Sequence, residues 1–460
     1  MKFGDRIGAY EEDILASLEK LVAIPSVCGE PRPGMPYGEA CVQALEYVLG
    51  LAQDMGFSVR NVGNYAGHAE YDCGEEGMAA VLAHIDVVPA GHGWDTDPFT
   101  LVRKGDLLFG RGVLDDKGAA ITALYCLKAL KDANVRGHRK LRVIFGAGEE
   151  VGMEDMKHYF EAEPLPDLAF TPDSDYGICN REKGILHVEF SCPHDATPIR
   201  SFRSGKAVNA VPDRAEVSLD CSPEEFCALS KNSSQIAGQF VFESAGGQGF
   251  SIRSEGVAAH AMCPHEGRNA AAALLELLAT VFPPAQMGTL LTFLQKKIAR
   301  ETDGTHLGIQ QEDVPSGALT VNLGVVQTGG ERDFACMDVR FPVTADGAAI
   351  EERLQQEAQA YGVQFQRQIR NDPLYFPEHD PLIRTLQDAY ESVMGSQPAL
   401  YATGGGTYAR AVPGRCVAFG PVFPDEPDRR MHKSQEHIDW ERFRQHARIC
   451  LEAMYRMITE

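Results

Sequence analysis

An alternation of strand-like and helical segments in the first 180 residues most constrains the fold of this chain. Three apolar, β-rich runs are read as strands, namely "GMAAVLAHIDVV", "KLRVIFGAGEEVG" and "DLAFTPDSDYG". Between the first two lies "DDKGAAITALYCLKALKDA", whose apolar residues recur at the spacing of one helix face. Strands that alternate with helices of this length predict an α/β sheet that is largely parallel.

The pattern changes near Gly184. From there to about Asp380, strands with turn signals are mixed with helical stretches, and "GALTVNLGVVQTGGERDFACMDVRFPV" reads as two strands around a Gly-Gly turn. The helical pattern resumes at Pro381 and is followed by a last strand and helix. We therefore expect a catalytic domain in two parts, residues 1–184 and 381–460, interrupted by an inserted lid domain at 185–380.

Length and composition limit the partners and the cellular compartment. A chain of 460 residues is expected to form two or three domains. A net charge of -22 argues against nucleic acid and anionic membrane as partners. The start "MKFGDRIGAYEED" lacks the apolar stretch of a signal peptide, and the 12 cysteines form no CxxC motif. These features predict a cytoplasmic protein with no membrane span.

Acidic residues and histidines, Asp115 among them, lie at the ends of the predicted strands of the α/β part. Ligands of an open α/β sheet gather beyond the carboxyl ends of its strands, so these side chains are expected at one edge. A single carboxylate in such a place is most often a turn residue or a helix cap, but five segments are hard to explain in that way. Crowded carboxylates repel one another, and a bound cation is the usual remedy. The residues are His84 and Asp86, Asp115 and Asp116, Glu149 and Glu150, Asp173, and, near the C-terminus, His432.

Histidines combined with carboxylates favour Zn²⁺, Mn²⁺ or Co²⁺ over a site built from oxygen ligands alone. We expect two divalent ions, Zn²⁺ or Mn²⁺, that share one bridging carboxylate. The first would be bound by His84, Asp115 and Asp173, and the second by Asp115, Glu150 and His432.

Two further acidic residues are expected to act without binding a metal. Glu149 is the candidate general base, which accepts a proton from the metal-activated water and passes it to the leaving amine. Asp86 is expected to orient the ring of His84. Asp175 and His437 are rivals of Asp173 and His432 because they lie close to them in the sequence.

The motifs "HIDVVP", "GRGVLDDKG", "GAGEEVG", "TPD" and "MHKSQEHI" resemble those of the M20 family of di-metal peptidases in order and spacing, over nearly the whole chain. Within that family the chain looks most like bacterial dipeptidases of the PepV and Sapep type. The resemblance implies a phosphorylase/hydrolase-like metallopeptidase catalytic domain of α/β class with an inserted α+β lid domain. It implies the same five metal ligands, the same base and orienting residue, and a cis peptide between Asp115 and Asp116.

The resemblance also selects three residues of the lid, and a run of glycines adds a further candidate for binding the substrate. His260 is expected to donate a hydrogen bond in the transition state, where developing negative charge needs a donor. Asn209 and Arg340 match positions that contact substrate, and Arg340 can bind a carboxylate through two N–H groups. Gly404, Gly405 and Gly406 are expected to offer backbone N–H groups to a ligand carboxylate.

The length of the insertion bears on the oligomeric state. One βαββαβ unit needs roughly 80 residues, so residues 185–380 have room for two ferredoxin-like units. In dimeric relatives the partner's lid supplies the transition-state histidine. A doubled lid could bring His260 over the metals of its own chain, so a monomer is expected.

The substrate expected from these residues is an unblocked dipeptide. Its amine would lie near Asp173 and Glu149, and its carboxylate near Arg340 and the glycine run. An aspartate at position 173 is typical of aminopeptidase-like members. The alternative within the family is an N-acyl-amino-acid deacylase or desuccinylase. An inactive binding homologue would need a missing ligand or base, and none is missing. A cysteine hydrolase is remote, because no cysteine lies in a motif with histidine.

Overall fold

The computed structural model describes residues 2–244, 249–299 and 301–460. The chain divides into two units. Unit 1 comprises Met1–Asn180, Leu374–Tyr401 and Gly406–Glu460, and unit 2 comprises Arg181–Pro373 and Ala402–Gly405. The limits between them lie at 180 and 373, where the sequence predicts 184 and 380, and the short segment at 402–405 was not expected in unit 2.

Helices and strands alternate in unit 1, whereas unit 2 consists mostly of strands. The α-helices are α1 (Glu11–Val22), α2 (Glu39–Asp54), α3 (Lys117–Asp132), α4 (Glu154–Ala162), α5 (Pro223–Asn232), α6 (Ala270–Ala279), α7 (Pro284–Met287), α8 (Thr289–Lys297), α9 (Gly347–Ala360), α10 (Pro381–Met394) and α11 (Trp440–Thr459). Short 3₁₀ helices span Phe3–Tyr10, Glu149–Val151, Ser233–Gln235, Pro264–Glu266 and Tyr408–Ala411.

The strands fall into two large sheets and several small ones. In chain order they are β1 (Ser58–Val62), β2 (Ala66–Tyr71), β3 (Met78–His84), β4 (Val102–Lys104), β5 (Leu107–Phe109), β6 (Lys140–Gly146), β7 (Leu168–Thr171), β8 (Ser174–Asp175), β9 (Ile178–Glu182), β10 (Gly184–Pro193), β11 (Ile199–Ser204), β12 (Arg214–Asp220), β13 (Gln239–Ser244), β14 (Gly249–Glu255), β15 (Glu312–Asp313), β16 (Gly317–Ala318), β17 (Thr320–Gln327), β18 (Arg332–Phe341), β19 (Gln364–Asn371), β20 (Leu374–Tyr375), β21 (Leu400–Thr403), β22 (Cys416–Ala418), β23 (Pro421–Val422) and β24 (His437–Asp439).

The main sheet has the order β1-β2-β6-β3-β7-β22-β9-β20, with β21 paired to β9. Its centre is parallel, because β3 pairs in parallel with β6 and β7, and β7 with β22. Its sides are antiparallel, as in the pairs β1–β2, β2–β6 and β22–β9. The expected parallel character therefore holds for the centre alone. The hairpin of β1 and β2 lies outside the strands that the sequence analysis identified.

The centre of this sheet is buried on both faces. Every residue of β3 is buried, and α3, most of whose residues are also buried, packs against β3 and β6. The C-terminal helix α11 packs against α3 and α10. A strand covered on both sides contains mostly apolar residues, as "MAAVLAH" does. The polar side chains at its end, starting with His84, are consequently held on a rigid support.

Unit 2 is built on one continuous antiparallel sheet with the order β13-β14-β12-β11-β17-β18-β10-β19. The predicted strand pair around the Gly-Gly turn is present as β17 and β18. Apolar residues of α6, α8 and α9 pack with this sheet in a second core. Strands β15 and β16 form a separate two-stranded sheet. A division of unit 2 into two ferredoxin-like units stays a prediction, since eight of its strands form one sheet.

Several polar residues are buried inside unit 1. One of them is His446 of α11, whose pKa is shifted by burial alone. Its side chain is wholly buried, and its Nδ1 shares a hydrogen bond of 3.0 Å with the hydroxyl of Tyr176. Burial lowers the pKa of His446 to about 3. The folded protein therefore holds this imidazole neutral over the pH range in which an exposed histidine takes up a proton.

This burial predicts a pH-dependent loss of stability. Below an unfolded-state pKa of about 6.5, the unfolded chain binds a proton that the folded chain excludes, so stability falls as the pH drops toward 3. Between pH 7.5 and pH 5.0, the free energy of unfolding from urea titrations is expected to fall about 2 kcal/mol more in the wild type than in His446→Gln. An equal pH dependence in both proteins would contradict this account.

Candidate metal centre

His84 ends the buried strand β3, and its ring lies among carboxylates. The side chain is wholly buried. Its Nε2 is 2.8 Å from Oδ1 of Asp115 and 3.9 Å from Oδ2 of Asp173, which follows strand β7. The neighbouring parallel strands β3 and β7 thus bring His84 and Asp173 together, as the sheet geometry predicts.

Asp115 and His432 reach the same place from loops. Asp115 lies in the segment between β5 and α3, and His432 precedes β24; β5 and β24 pair in a small three-stranded sheet. Nε2 of His432 is 2.8 Å from Oδ2 of Asp115 and 3.3 Å from Oε2 of Glu150. The expectation that Asp115 ends a strand of the main sheet is wrong. The peptide between Asp115 and Asp116 is cis, as expected.

The described residues contain two groups whose ligand atoms lie within 4.8 Å of one another. One group is His84, Asp115 and Asp173, and the other is Asp115, Glu150 and His432. These are the two groups that the sequence suggested, and they share Asp115. Each of the two oxygens of Asp115 contacts a different histidine, which is the arrangement of a bridging ligand.

Asp86 acts on its neighbours in two ways. Nδ1 of His84 donates a hydrogen bond of 3.0 Å to the main-chain carbonyl of Asp86, and the nearest carboxylate oxygen is at 3.4 Å. This bond places a proton on Nδ1, so Nε2, which faces Asp115, is the nitrogen that would bind a metal. The carboxylate accepts hydrogen bonds from the backbone N–H groups of Glu149 at 3.2 Å and Glu150 at 3.1 Å. The ring of His84 is therefore oriented first by the main chain of Asp86, while the side chain holds the Glu149–Glu150 turn.

The charges of the cluster favour a cation. Burial, reinforced by the carboxylate of Asp115, raises the pKa of Asp173 well above its ordinary value. Burial and Asp173 do the same to the pKa of Glu149. Hydrogen bonds to Asp115 and Glu150 raise the pKa of His432 to about 11. The carboxylates thus repel one another, and a divalent ion would neutralise more of their negative charge than a single proton does.

Two buried oxygens provide a separate test of the fit to a metal. Within the part of the chain that the structure describes, Oε1 of Glu150 and Oδ1 of Asp116 are buried without a hydrogen-bond partner. Buried carboxylate oxygens usually have partners, so Glu150 is suited to binding a cation. The donor set of two histidines and three carboxylates is the chemistry of Zn²⁺ and Mn²⁺ sites.

The two rival residues lie elsewhere. Asp175 is exposed and belongs to strand β8, which pairs with β23. His437 belongs to β24, where its Nδ1 is 2.8 Å from the carbonyl of Gln435 and its ring packs on Phe109. The structure brings Asp173 and His432 into the cluster in their place.

Asn209 and His260, two of the residues predicted to contact the substrate, lie close to each other in unit 2. The N–H of Ala261 donates to the carbonyl of Asn209 at 2.9 Å, next to the bridge between Ala210 and His260. Nδ1 of His260 accepts a hydrogen bond of 3.1 Å from the N–H of Met262. A neutral ring in this state carries its proton on Nε2, so His260 is a donor there.

Arg340, Gly404 and Gly405 form hydrogen bonds within unit 2. Nε and Nη2 of Arg340 each donate to a carboxylate oxygen of Asp338 at 2.6 Å, and Nη1 donates to the carbonyl of Gly404 at 2.8 Å. The N–H of Gly405 donates to Oγ1 of Thr403 at 3.1 Å. One two-donor edge of the guanidinium thus binds Asp338, which orients it, and the N–H of Gly405 is used internally. Gly406 belongs to unit 1.

Sequence reasoning missed the residues that hold the loops of the cluster. Asp155 accepts hydrogen bonds from the N–H of Gly148 at 2.9 Å and from the hydroxyl of Tyr408, whose ring meets the His84 ring edge to face. Glu436 contacts the loop that carries Asp115. Glu436 lies in the "MHKSQEHI" motif, but no spacing within one sequence distinguishes it from an exposed glutamate.

This fold, together with this cluster of candidate metal ligands, is typical of metallohydrolases. The sequence model of the family described as "Peptidase family M20/M25/M40" matches residues 80–456, and the chain belongs to this family. The resemblance found in the sequence is thereby confirmed.

Curated relatives and solved structures agree with this assignment. The chain is 33% identical to "Putative dipeptidase YtjP" of Bacillus subtilis (strain 168), over 97% of both chains, and 31% identical to "Putative dipeptidase SSP1012" of Staphylococcus saprophyticus, over 99% of both. The crystal structure of human carnosine dipeptidase 1 matches with a TM-score of 0.59 and 13% identity, over 99% of this chain and 98% of that one. Aminoacylhistidine dipeptidase from Vibrio alginolyticus matches with a TM-score of 0.58 and 16% identity, over 97% and 96%. The expected fold class is confirmed.

Across the described residues, no helix is long and apolar enough to cross a membrane.

The contrast between His432 and His437 gives a direct test of the metal centre. After incubation with Mn²⁺ and gel filtration, His432→Ala is expected to retain less metal than the wild type, because the group with Asp115 and Glu150 loses one of three ligands. His437→Ala is the matched control and should retain the wild-type amount, as measured by inductively coupled plasma mass spectrometry. Loss of metal from His437→Ala with none from His432→Ala would overturn the assignment.

Proposed function

We propose that this protein is a dipeptidase that hydrolyses the peptide bond of unblocked dipeptides with two divalent ions, Zn²⁺ or Mn²⁺. The observation that carries the proposal is the pair of ligand groups that share Asp115. The relatives named as dipeptidases supply the substrate class. The proposed ligands are His84, Asp115, Glu150, Asp173 and His432.

The proposed chemistry divides the work between the ions and the side chains. When bound, the ions would polarise the scissile carbonyl and lower the pKa of the attacking water. Glu149 accepts the proton of that water and returns it to the leaving amine. Burial and the carboxylate of Asp173 raise the pKa of Glu149 above its ordinary value, which makes this carboxylate a stronger proton acceptor. Asp86 supports it by holding the backbone of the Glu149–Glu150 turn.

The residues of unit 2 are proposed to bind the substrate. The Nε2–H of His260 would donate to the oxygen that gains charge in the transition state. Asn209, adjacent to His260, would contact the substrate. Arg340, oriented by Asp338, would bind the C-terminal carboxylate beside Gly404, Gly405 and Gly406. Within this proposal each chain supplies its own His260, the protein is a cytoplasmic monomer of 50.2 kDa, and nucleic acid and membranes are not partners.

The role of Glu149 is tested by Glu149→Gln. The amide cannot accept the proton, so kcat on a dipeptide is expected to fall roughly 10²–10⁴-fold while the metal content stays at the wild-type level. Glu154→Gln, an exposed change at the start of α4, is the control and should keep wild-type kcat. A Glu149→Gln protein with most of its kcat would show that another group is the base.

The substrate class is tested with a panel in which only the ends of the substrate change. A tripeptide carries its carboxylate past Arg340 and loses a charge-assisted contact, so its kcat/KM is expected to be about 10–150-fold below that of the matching dipeptide. An N-acetyl amino acid places a methyl group where the ammonium is expected. Equal kcat/KM for a dipeptide and an N-acetyl amino acid would reject the dipeptidase and favour the deacylase.

A further inference from the structure

Glu436 is a carboxylate buried in unit 1 and surrounded by donors. Its side chain has no exposed surface. It accepts hydrogen bonds from the backbone N–H groups of Gly112 and Leu114 at 3.0 Å and of Asp115 at 3.3 Å, and from Nη1 of Arg111 at 2.5 Å. One side chain thus fixes the backbone of the segment that carries the shared ligand Asp115.

Arg111 extends these contacts to two more loops. Its side chain is 1% exposed. Nη2 donates to the carbonyl of Lys433 at 3.2 Å and to those of Pro89 and Ala90 at 3.4 Å. Lys433 follows the ligand His432, and Pro89 and Ala90 lie in the loop after β3, the strand that ends at the ligand His84. The pair of Arg111 and Glu436 therefore connects the three loops that follow or carry these ligands.

Burial of this ion pair needs an explanation other than stability. Removing two charges from water is costly, and a well-packed apolar pair often serves folding as well. A buried pair held by many hydrogen bonds fixes geometry, and in this pair Nε of Arg111 is, among the described residues, a buried donor without a partner. His432 needs such fixing, because its side chain is 53% exposed and its backbone has a φ of 59° on a loop.

We propose that Arg111 and Glu436 are positioning residues of the metal centre, which set the distance between Asp115 and His432 without touching the ions. The inference rests on the proposed metal-dependent function. Glu436 holds the backbone of Asp115 and lies four residues after His432, so two of the three ligands in the group with Glu150 depend on it. The ion bound by that group should therefore be the one most affected.

The test is Mn²⁺ binding to chelator-stripped protein, measured by isothermal titration calorimetry. In Glu436→Gln an amide NH₂ replaces one acceptor oxygen and faces donors. The Kd of one Mn²⁺ equivalent is expected to rise roughly 10–100-fold, the usual effect of losing a partner of a metal ligand. The electron paramagnetic resonance signal of two coupled Mn²⁺ ions should also weaken at two equivalents. Glu163→Gln is the matched control, since Glu163 is buried and paired with Arg142 at 2.6 Å, and should bind Mn²⁺ as the wild type does.

A second variant keeps the test valid if Glu436→Gln does not fold. Arg111→Lys keeps the charge but not the planar fork, and is expected to weaken the same equivalent roughly 10-fold. Wild-type Kd values and spectra in the folded variant would overturn the inference. A wild-type protein that binds no Mn²⁺ or cleaves no dipeptide would overturn the proposed function instead, so the two failures are distinguishable.

Discussion

The position of Asp115 between two histidines is the interaction on which the rest of the candidate site depends. Its two oxygens lie 2.8 Å from different histidines, so one carboxylate is shared by both ligand groups. Burial raises its pKa, but hydrogen bonds from His432 and His84 outweigh burial and hold the pKa below its ordinary value. A carboxylate that stays ionised in a buried place is available to two cations at once.

The residues of the cluster must be held close together, and the surrounding fold does this in two ways. The parallel strands β3 and β7 deliver His84 and Asp173 from a support that is buried on both faces. Asp115 and His432 lie on loops, which bury less surface and are held by fewer ladder hydrogen bonds. The buried pair of Arg111 and Glu436 fixes the position of these loops, as the hydrogen bonds of the sheet fix the strand ends.

The parts that could be predicted from the sequence are those with a local signal. The strand endings after β3 and β7 indicate His84 and Asp173 through hydrophobic pattern and sheet geometry, and the motifs indicate the other ligands through family resemblance. The Arg111–Glu436 contact joins residues 325 apart, and no local periodicity reports such a pairing. The antiparallel sides of the main sheet escaped prediction similarly, because "SVRNV" in β1 is exposed and lacks the apolar run of a central strand.

In the proposed metal centre, five side chains of unit 1 bind two divalent ions that share one carboxylate. The most direct measurement is anomalous X-ray diffraction near the manganese absorption edge, from crystals grown with Mn²⁺. We predict two anomalous peaks, each in contact with Asp115, with His84 and Asp173 around one and Glu150 and His432 around the other. A single peak, or peaks that are not joined by Asp115, would contradict the account.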